Sequence, residues 1–419
     1  MTSTPSMGYP RGPQHRPRGW VGHLAGVATA DAAMTALKIS LERSARQRAE
    51  RIRDVMADRW REKQHPTRAR MRALVAHPGA RFVWRDVPAP PSPEPGAAVV
   101  HPIAVATCDL DRAMALGRSP FPLPMAFGHE CVGEVVEVGD EVTTVRPGDR
   151  VVVPFQISCG SCAACVAGLT ANCLTVPPIS MYGFGLVGGL WGGAFSDLLT
   201  VPFAEAMLVP LPQGIEPAAA ASVADNVADG YRSIAPYLPQ LLDRGRDLDV
   251  VIFAEIGPRP PFSASVPLYA GLTAMALGAP RVHLVDRRPH VRAHAEALGM
   301  IAHASVRTVP SAPLVVDSTG DRRGPSLAIA RTSPDGIVAS LSSLSRRSPI
   351  PTALMYGRNI RYELGRSHAR AHIPAILEMM RTGALRPETV TTHLASLDTA
   401  DRTLREHALG ESTKTILVE

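Results

Sequence analysis

Four cysteines within fifteen residues form the strongest chemical signal in the sequence. They are Cys159, Cys162, Cys165 and Cys173, and the first three are each separated by two residues. Four thiolates complete a tetrahedral Zn²⁺ site and leave no position for a substrate. Iron–sulfur clusters use similar spacings, but no proline follows the last cysteine here. The pattern therefore predicts a structural zinc ion that stabilises a polar loop.

A second metal site is indicated upstream by one cysteine and one histidine. Cys108 begins the segment Cys-Asp-Leu-Asp, and His129 stands in Gly-His-Glu, 21 positions later. A catalytic zinc ion takes three protein ligands and keeps one position open, so this pair is an incomplete set. By itself the pair is equally consistent with a buried thiol and a hydrogen-bonded imidazole. Its meaning depends on the sequence around it.

The elements that must position these residues fall into two parts. The first is rich in Val, Gly and Pro, with short strand-like runs at 70–76, 98–105, 132–138 and 150–153. Such runs, separated by turn residues, predict a small β-barrel. From about residue 216, strands and helices alternate, at 249–253, 268–277, 281–285, 291–298, 314–316 and 336–341. This alternation predicts a parallel sheet with helices on both faces.

Residues 71–419 resemble the zinc-dependent medium-chain alcohol dehydrogenases. The motifs that carry the resemblance occur in the family's order: Cys108-x-x-Asp111, Gly128-His129-Glu130-x-x-Gly133, Arg146-Pro147-Gly148-Asp149, the four-cysteine segment, and Gly192-Gly193-Ala194. The resemblance implies an α/β chain with a GroES-like β-barrel catalytic domain and a doubly wound, parallel-sheet Rossmann domain. The expected boundaries are 1–70 for a basic, partly helical extension, 71–226 for the catalytic domain, 227–362 for the cofactor domain, and 363–419 for a return to the catalytic domain.

The resemblance also implies the catalytic residues. Cys108, His129 and Asp225 would hold a catalytic zinc ion, with Glu130 as a neighbouring carboxylate. Asp229 is the alternative third ligand, and a helix N-cap is the alternative role for Asp225. The expected reaction is hydride transfer between an alcohol or polyol, or an aldehyde or ketone, and NAD(P). The family usually has Ser or Thr at position 110 to begin a proton relay. Leu110 cannot carry a proton, which leaves Asp109, Asp111 or water, or slow proton release.

The dinucleotide loop departs from the usual glycine-rich pattern. Phe262, Ala264 and Pro267 stand where glycines are expected, and we expect Pro267 at the first position of the helix. Asp286 ends a strand and favours NAD, while Arg287 beside it makes NADP possible. The residues expected to bind the dinucleotide are Asp286, Arg287, Ser263, Ser265 and Arg366. The altered loop supports an alternative, a non-enzymatic, zinc-stabilised family member.

Composition sets further bounds. A chain of 419 residues, 45% hydrophobic, is neither collagen-like nor disordered, and no stretch approaches the roughly 20 apolar residues of a membrane span. Residues 1–70 contain 14 Arg or Lys and 6 Asp or Glu, a net charge of +8, and their periodicity predicts a helix over 31–63. This extension could bind nucleic acid, a membrane surface or a partner, or it could be dispensable.

Partners and compartment follow from these observations and the resemblance. We expect a small-molecule alcohol or carbonyl substrate, no membrane and no nucleic-acid partner, and a homo-oligomer, either a dimer or a tetramer. Because the clustered cysteines are read as metal ligands rather than disulfides, we expect a cytoplasmic protein.

Overall fold

The computed structural model describes residues 30–243, 248–257, 262–341 and 348–419, with side chains from residue 44 onward. Residues 1–29 of the predicted extension and residues 258–261 before the dinucleotide loop lie outside the described residues. The chain divides into two compact units, residues 1–47 and residues 48–419. Helix α1 (Ala30–Gln64) covers the segment that the apolar periodicity predicted to be helical.

The strands and the remaining helices all lie in the second unit. The strands are β1 (Arg70–His77), β2 (Arg81–Pro88), β3 (Ala98–Ala106), β4 (Met125–Ala126), β5 (Glu130–Val138), β6 (Arg150–Val153), β7 (Leu199–Val201), β8 (Val209–Pro210), β9 (Asp249–Glu255), β10 (Arg281–Asp286), β11 (Ile301–His303), β12 (Ala312–Asp317), β13 (Thr332–Ser340), β14 (Arg361–Leu364), β15 (His393–Ser396) and β16 (Thr415–Val418). The helices after α1 are α2 (Asp111–Ala115), α3 (Ala163–Val166), α4 (Gly185–Gly188), α5 (Ala204–Met207), α6 (Pro217–Ala220), α7 (Asn226–Arg232), α8 (Leu238–Leu242), α9 (Ser265–Ala276), α10 (Pro289–Ala297), α11 (Gly324–Arg331), α12 (Thr352–Arg358), α13 (Ala369–Arg381) and α14 (Ala400–Leu409).

A seven-stranded sheet organises the β-rich part. Its order is β15-β16-β3-β5-β6-β8, with β7 also on β3, and a smaller sheet has the order β2-β1-β4. The last strand returns to the first part of the chain, because Ile416 of β16 lies opposite Ala106 of β3. Strands β3 and β5 pair along their length, with Ala106 opposite Glu130. This pairing brings the segment after β3, which contains Cys108, beside His129, which precedes β5.

A six-stranded parallel sheet forms the other part, with the order β11-β10-β9-β12-β13-β14. Counted from β9, this is the 3-2-1-4-5-6 order of the doubly wound dinucleotide-binding fold. Both faces are covered: Val250 and Ile252 belong to one hydrophobic core, whereas Val251 and Phe253 belong to the other. The strand order reverses between β9 and β12, and ligands of such sheets bind at the strand carboxyl ends at this point.

Helix α9 differs from the sequence prediction at its start. The prediction began at residue 268 with Pro267 at the first helical position, but α9 begins at Ser265, and Pro267 is its third residue. A proline is tolerated there because the first-turn amides need no partner within the helix. Strand β2 was not predicted from the sequence. Its buried residue Phe82 packs edge-on against Phe127, with ring centroids 5.0 Å apart.

The part of α1 within the second unit is not a free extension. Arg48 donates to the carbonyl oxygens of Val187, at 2.7 Å, and Pro178. Arg51 donates to Gly189 O at 2.7 Å, and its guanidinium lies 3.0 Å from the ring centroid of Trp191. These contacts hold the helix from Arg48 onward against the loop at 178–191, and the dispensability of residues 1–70 stays a prediction. Among the described residues, no helix combines the length and apolar character needed to cross a bilayer.

Candidate active site

Three of the predicted zinc ligands converge where the two sheets meet. Cys108 follows β3, His129 precedes β5, and Asp225 precedes α7. Asp225 Oδ2 lies 3.3 Å from Cys108 Sγ and 3.3 Å from His129 Nε2. Asp225 occupies the N-cap position of α7, but its side chain makes no capping hydrogen bond. The side chain therefore faces the cysteine and the histidine, and not the helix that it precedes.

This donor set fits a zinc ion. Together with Glu130, the three residues place one donor atom each within 4.8 Å of one another, and all four residues are buried. Neither ring nitrogen of His129 has a hydrogen-bond partner, although the residue is 1% exposed. Burial, followed by the charge of Asp225, raises the pKa of the Cys108 thiol well above its ordinary value. A bound cation would favour the thiolate and use the unpartnered imidazole nitrogen.

The imidazole is oriented by its neighbours. Asp111 Oδ1 lies 4.0 Å from His129 Nδ1, on the side of the ring away from Asp225, and Asp111 Oδ2 accepts from Cys108 N at 2.9 Å. The rings of Phe184 and Phe155 lie 4.7 and 5.8 Å from the imidazole centroid. A carboxylate behind a metal-binding histidine fixes its orientation, and aromatic packing limits access of water.

Glu130 belongs to a buried polar network that the sequence prediction missed. Lys414 Nζ donates to Glu130 Oε2 and to Asn226 Oδ1, both at 2.8 Å, and to Thr107 O. Asn226 Nδ2 in turn donates to Cys108 Sγ at 3.4 Å. Lys414 is the only lysine after residue 63. This rarity was the one feature of the sequence that could have drawn attention to Lys414. The network places the positive charge of Lys414 against Glu130 and Asn226, next to the donor set.

The four cysteines of the predicted structural site also come together. The sulfur atoms of Cys159, Cys162, Cys165 and Cys173 lie within 4.8 Å of one another, without a disulfide. Backbone amides point at them: Cys162 N donates to Cys159 Sγ at 3.4 Å, and Leu174 N donates to Cys162 Sγ at 3.3 Å. Gly160 has a φ of +76°, and a Cβ there would lie 2.5 Å from Ala206 Cβ. The loop geometry suits four thiolates around one ion.

An open cleft of about 880 Å³ reaches the donor set, whereas the four-cysteine loop contributes no sulfur to its walls. Cys108 and Asp225 lie at its base. Asp229, the alternative third ligand, also lines the cleft but pairs with Arg232 at 2.5 Å. The apolar part of the wall consists mainly of Leu110, Phe121, Phe155, Met181, Phe184 and Val187. A small molecule can therefore approach the buried donors from one side.

At the dinucleotide edge, the first turn of α9 already has an acceptor. Asp109 Oδ1 accepts from Ser265 N at 2.8 Å and from Ser265 Oγ at 2.6 Å, while Asp109 Oδ2 accepts from Val266 N at 3.0 Å. Ser263 N donates to Asp109 O at 3.2 Å, and Ser263 Oγ lies 3.2 Å from His407 Nε2. The two serines expected to contact a dinucleotide thus have protein partners.

The other residues predicted to contact the cofactor are Asp286, Arg287 and Arg366, and two of these three side chains bind other groups of the protein. Asp286 ends β10 as expected, but its carboxylate accepts from Arg288 N, Nε and Nη2 at 2.7, 2.9 and 2.7 Å. Arg287 is exposed beside it. Arg366 donates to Ala171 O at 2.7 Å and to Asn172 Oδ1 at 3.0 Å, next to the four-cysteine loop. The roles of these residues in cofactor binding stay predictions.

Comparisons with known proteins agree with this architecture. The family profile described as the alcohol dehydrogenase GroES-like domain matches residues 94–213. A Mycobacterium tuberculosis protein named "probable zinc-binding alcohol dehydrogenase" is 29% identical over 339 residues, covering 79% of this chain and 83% of that one. The glutathione-independent formaldehyde dehydrogenase of Pseudomonas aeruginosa is 33% identical over 208 residues, about half of each chain. Geraniol dehydrogenase of Castellaniella defragrans is 28% identical over 78% of this chain and 91% of that one.

A solved structure extends the agreement to most of the chain. The alcohol dehydrogenase of Thermus sp. ATN1 superposes with a TM-score of 0.73 at 28% identity, over 83% of this chain and 99% of that one. Fold, profile and relatives together show that the chain is similar to the zinc-type medium-chain alcohol dehydrogenases. The relatives give no support to the non-enzymatic alternative.

Proposed function

We propose that this protein is a zinc-dependent oxidoreductase that transfers a hydride between an alcohol or polyol, or the corresponding aldehyde or ketone, and NAD(P). One observation carries the proposal. Cys108, His129 and Asp225 are buried side by side, His129 has no hydrogen-bond partner for its ring nitrogens, and Cys108 and Asp225 line an open cleft. An open shell of three protein ligands is the arrangement that zinc catalysis uses.

The chain's own residues position the reaction. When bound, Zn²⁺ supplies a Lewis acid for the substrate oxygen, and a nicotinamide dinucleotide supplies the hydride acceptor or donor. The rings of Phe155 and Phe184 pack against His129, and Asp111 Oδ1 lies 4.0 Å from its Nδ1. The ammonium group of Lys414, which binds Glu130, offsets part of the negative charge of the donor set. The carboxyl ends of β9 and β12 form the edge of the parallel sheet where a dinucleotide binds in this fold.

The proton released from an alcohol has no hydroxyl relay at position 110. Leu110 lines the cleft, and the carboxylate of Asp109 is engaged by Ser265 and Val266. Asp111 is 3% exposed and does not line the cleft. Of the three routes left open by the sequence, we therefore favour direct transfer to water in the cleft.

The cleft walls favour one class of substrate. Aromatic and aliphatic side chains flank Cys108, including Phe121, Phe155, Phe184 and Met181. Apolar walls gain free energy by covering apolar substituents, at about 25 cal/mol per Å² removed from water. We therefore propose an alcohol or carbonyl compound with an aromatic or aliphatic substituent as the preferred substrate, ahead of a polyol.

Several finer expectations belong to the same proposal. We keep NAD as the preferred cofactor, because Asp286 ends β10 and a carboxylate there disfavours the 2′-phosphate of NADP. The domain boundaries at 70, 226 and 362, a homo-oligomeric state and a cytoplasmic location are retained as proposals. Four of the six thiols form a metal-type donor set, and such use of clustered cysteines supports a reducing compartment.

The test compares two buried cysteines in zinc-loaded protein. The unaltered chain should reduce NAD with benzyl alcohol or a medium-length primary alcohol, and more slowly with sorbitol. Cys108→Ala should lower kcat/KM by more than about a hundredfold, because the metal loses one of three ligands. Cys131→Ala, in the adjacent strand but outside the donor set, should retain activity. Equal activity in both variants, or no turnover by the unaltered zinc-loaded chain, would overturn the proposal.

A further inference from the structure

The first turn of α9 has few free donors, and Asp109 uses them. The opening amides of a helix have no partner within the helix. In α9 these include Ser265 N and Val266 N, whereas Pro267, the third helical residue, has no amide hydrogen. Both amides donate to the Asp109 carboxylate, at 2.8 and 3.0 Å, and the Ser265 hydroxyl adds a third hydrogen bond.

The location of this turn gives the contact its importance. Helix α9 follows β9, the first strand of the parallel sheet in the 3-2-1-4-5-6 order, at the point where the order reverses. In this fold the pyrophosphate of a dinucleotide binds at the N-terminus of that helix. Asp109 is only 8% exposed, and it reaches the helix from the segment after β3. A carboxylate and a pyrophosphate cannot both accept from the same two amides.

We infer that Asp109 occupies the pyrophosphate position with its own carboxylate and so lowers the affinity of this chain for dinucleotides. The inference rests on the proposed function only in naming the dinucleotide as the competing ligand. Binding requires the Asp109 carboxylate to leave three hydrogen bonds and two anions to share one helix end. The affinity of the chain for nucleoside diphosphates is therefore set by a residue outside the loop that normally determines it.

The neighbouring contacts support the same inference. Asp286, the expected partner of the ribose hydroxyls, is fully buried and accepts three hydrogen bonds from Arg288. Arg288 Nη1 also donates to Phe262 O at 2.9 Å. The Phe262 ring lies against Gly320, where an added Cβ would be 2.2 Å from Phe262 Cε2. Polar groups along this edge thus have protein partners that a dinucleotide would need to displace.

Calorimetric titration with ADP tests the inference without catalysis. Asp109→Ser should bind ADP about tenfold more tightly than the unaltered chain, because no charged hydrogen-bonded acceptor must be displaced. Asp109→Asn, which keeps the shape and removes the charge, should show an intermediate gain. Adenosine, which has no phosphate, should bind all three proteins with affinities within about twofold. Asp229→Asn removes another cleft carboxylate, which pairs with Arg232 instead of the α9 amides, and it should leave ADP binding unchanged.

The stability of the variants is measured in the same samples. Loss of a helix cap should lower the melting temperature of Asp109→Ser, and ADP should raise it by more than it raises that of the unaltered chain. Unchanged or weaker ADP binding by both Asp109 variants would overturn the inference, as would an equal gain for adenosine. A missing alcohol-dependent reduction of NAD by the unaltered chain would instead refute the proposed function, whatever the ADP affinities.

Discussion

The metal side of the cleft and its dinucleotide side differ in how their buried polar groups are satisfied. At the metal side, both nitrogens of His129 and Glu130 Oε1 have no hydrogen-bond partner. At the dinucleotide side, Asp109 and Asp286 each accept three hydrogen bonds from protein donors. An unpartnered buried polar atom costs roughly 1–3 kcal/mol. The fold therefore tolerates that cost where a metal ion would relieve it, and avoids it where a dinucleotide would bind.

The metal ion and the dinucleotide therefore differ in what each must displace to bind. A metal ion gains donors that are already assembled, whereas a dinucleotide must displace contacts within the protein. Changes at the metal side should therefore abolish function, and changes at the dinucleotide side should adjust affinity. The predictions below test this division, from the largest expected effect to the smallest.

Loss of the imidazole should have the largest effect. His129→Ala removes one of three ligands, and the Lewis acid it helps to hold contributes several kcal/mol to the reaction. We expect kcat/KM to fall by roughly a thousandfold or more, while calorimetric ADP affinity stays unchanged. His372, which packs against Tyr231 with ring centroids 5.5 Å apart, provides the control, and His372→Ala should remain active. A matching loss of ADP binding in His129→Ala would show that the two sides are not independent.

Removal of the N-terminal segment should have a moderate effect on the metal side. A chain that begins at Arg48 keeps the contacts of Arg48 and Arg51 with the loop at 178–191, whereas a chain that begins at Met71 loses them. The Arg51–Trp191 cation–π contact is worth about 0.5–2 kcal/mol. We expect the Met71 chain to melt a few degrees lower and to have a raised KM, since Val187 lines the cleft. Identical melting temperatures and KM values would contradict a structural role for residues 48–70.

Trimming Phe262 should have a smaller effect on the dinucleotide side. Its ring lines the cleft and lies against Gly320, so Phe262→Ala should ease the approach of the nicotinamide half. We expect NAD to bind about threefold more tightly, measured by nicotinamide-dependent fluorescence quenching. Phe121→Ala serves as the control, because Phe121 also lines the cleft but packs against Phe184, and this variant should not tighten NAD binding. Weaker NAD binding by Phe262→Ala would indicate that the ring supports the dinucleotide.

A hydroxyl at position 110 should have the smallest effect. Leu110→Ser places a proton-carrying group in the cleft, and if water now accepts the proton, kcat should rise by about twofold to fivefold. The solvent deuterium isotope effect on kcat should change in the same variant. Leu110→Ala controls for the lost volume. An increase in kcat that is equal in both variants would assign the effect to space and not to proton transfer.

The sequence predicted the fold better than it predicted the contacts of the site. Cys108, His129 and Asp225 were named as ligands because the motifs around them resemble those of the zinc-dependent dehydrogenases, whereas the spacing of Cys108 and His129 alone left their role open. Strand β6, Arg150–Val153, was predicted with its observed ends, since turn residues flank its valine run. Helix α9 begins at Ser265, three residues earlier than predicted, because Pro267 fits the third helical position as well as the first.

The contacts of Asp109 and Lys414 could not be predicted in the same way. Asp109 reaches Ser265 across 156 positions, and Lys414 reaches Glu130 across 284. Neither contact is set by a local pattern. The Asp109 contact depends on how two sheets pack, and the Lys414 contact depends on the return of β16 to the sheet that contains β5. The sequence showed only that the glycine positions were altered, and gave no indication that a carboxylate from the other sheet would bind the helix end.

Metal stoichiometry tests the central claim most directly, since the account assigns one ion to the open donor set and one to the four-cysteine loop. Elemental analysis of the purified, zinc-loaded chain should find two Zn per chain. Cys108→Ala and Cys162→Ser should each retain one, and only Cys162→Ser should also lose several kcal/mol of stability, because that loop depends on its ion to fold. One zinc ion in the unaltered chain, with Cys108→Ala still binding the same amount, would contradict a metal at the base of the cleft.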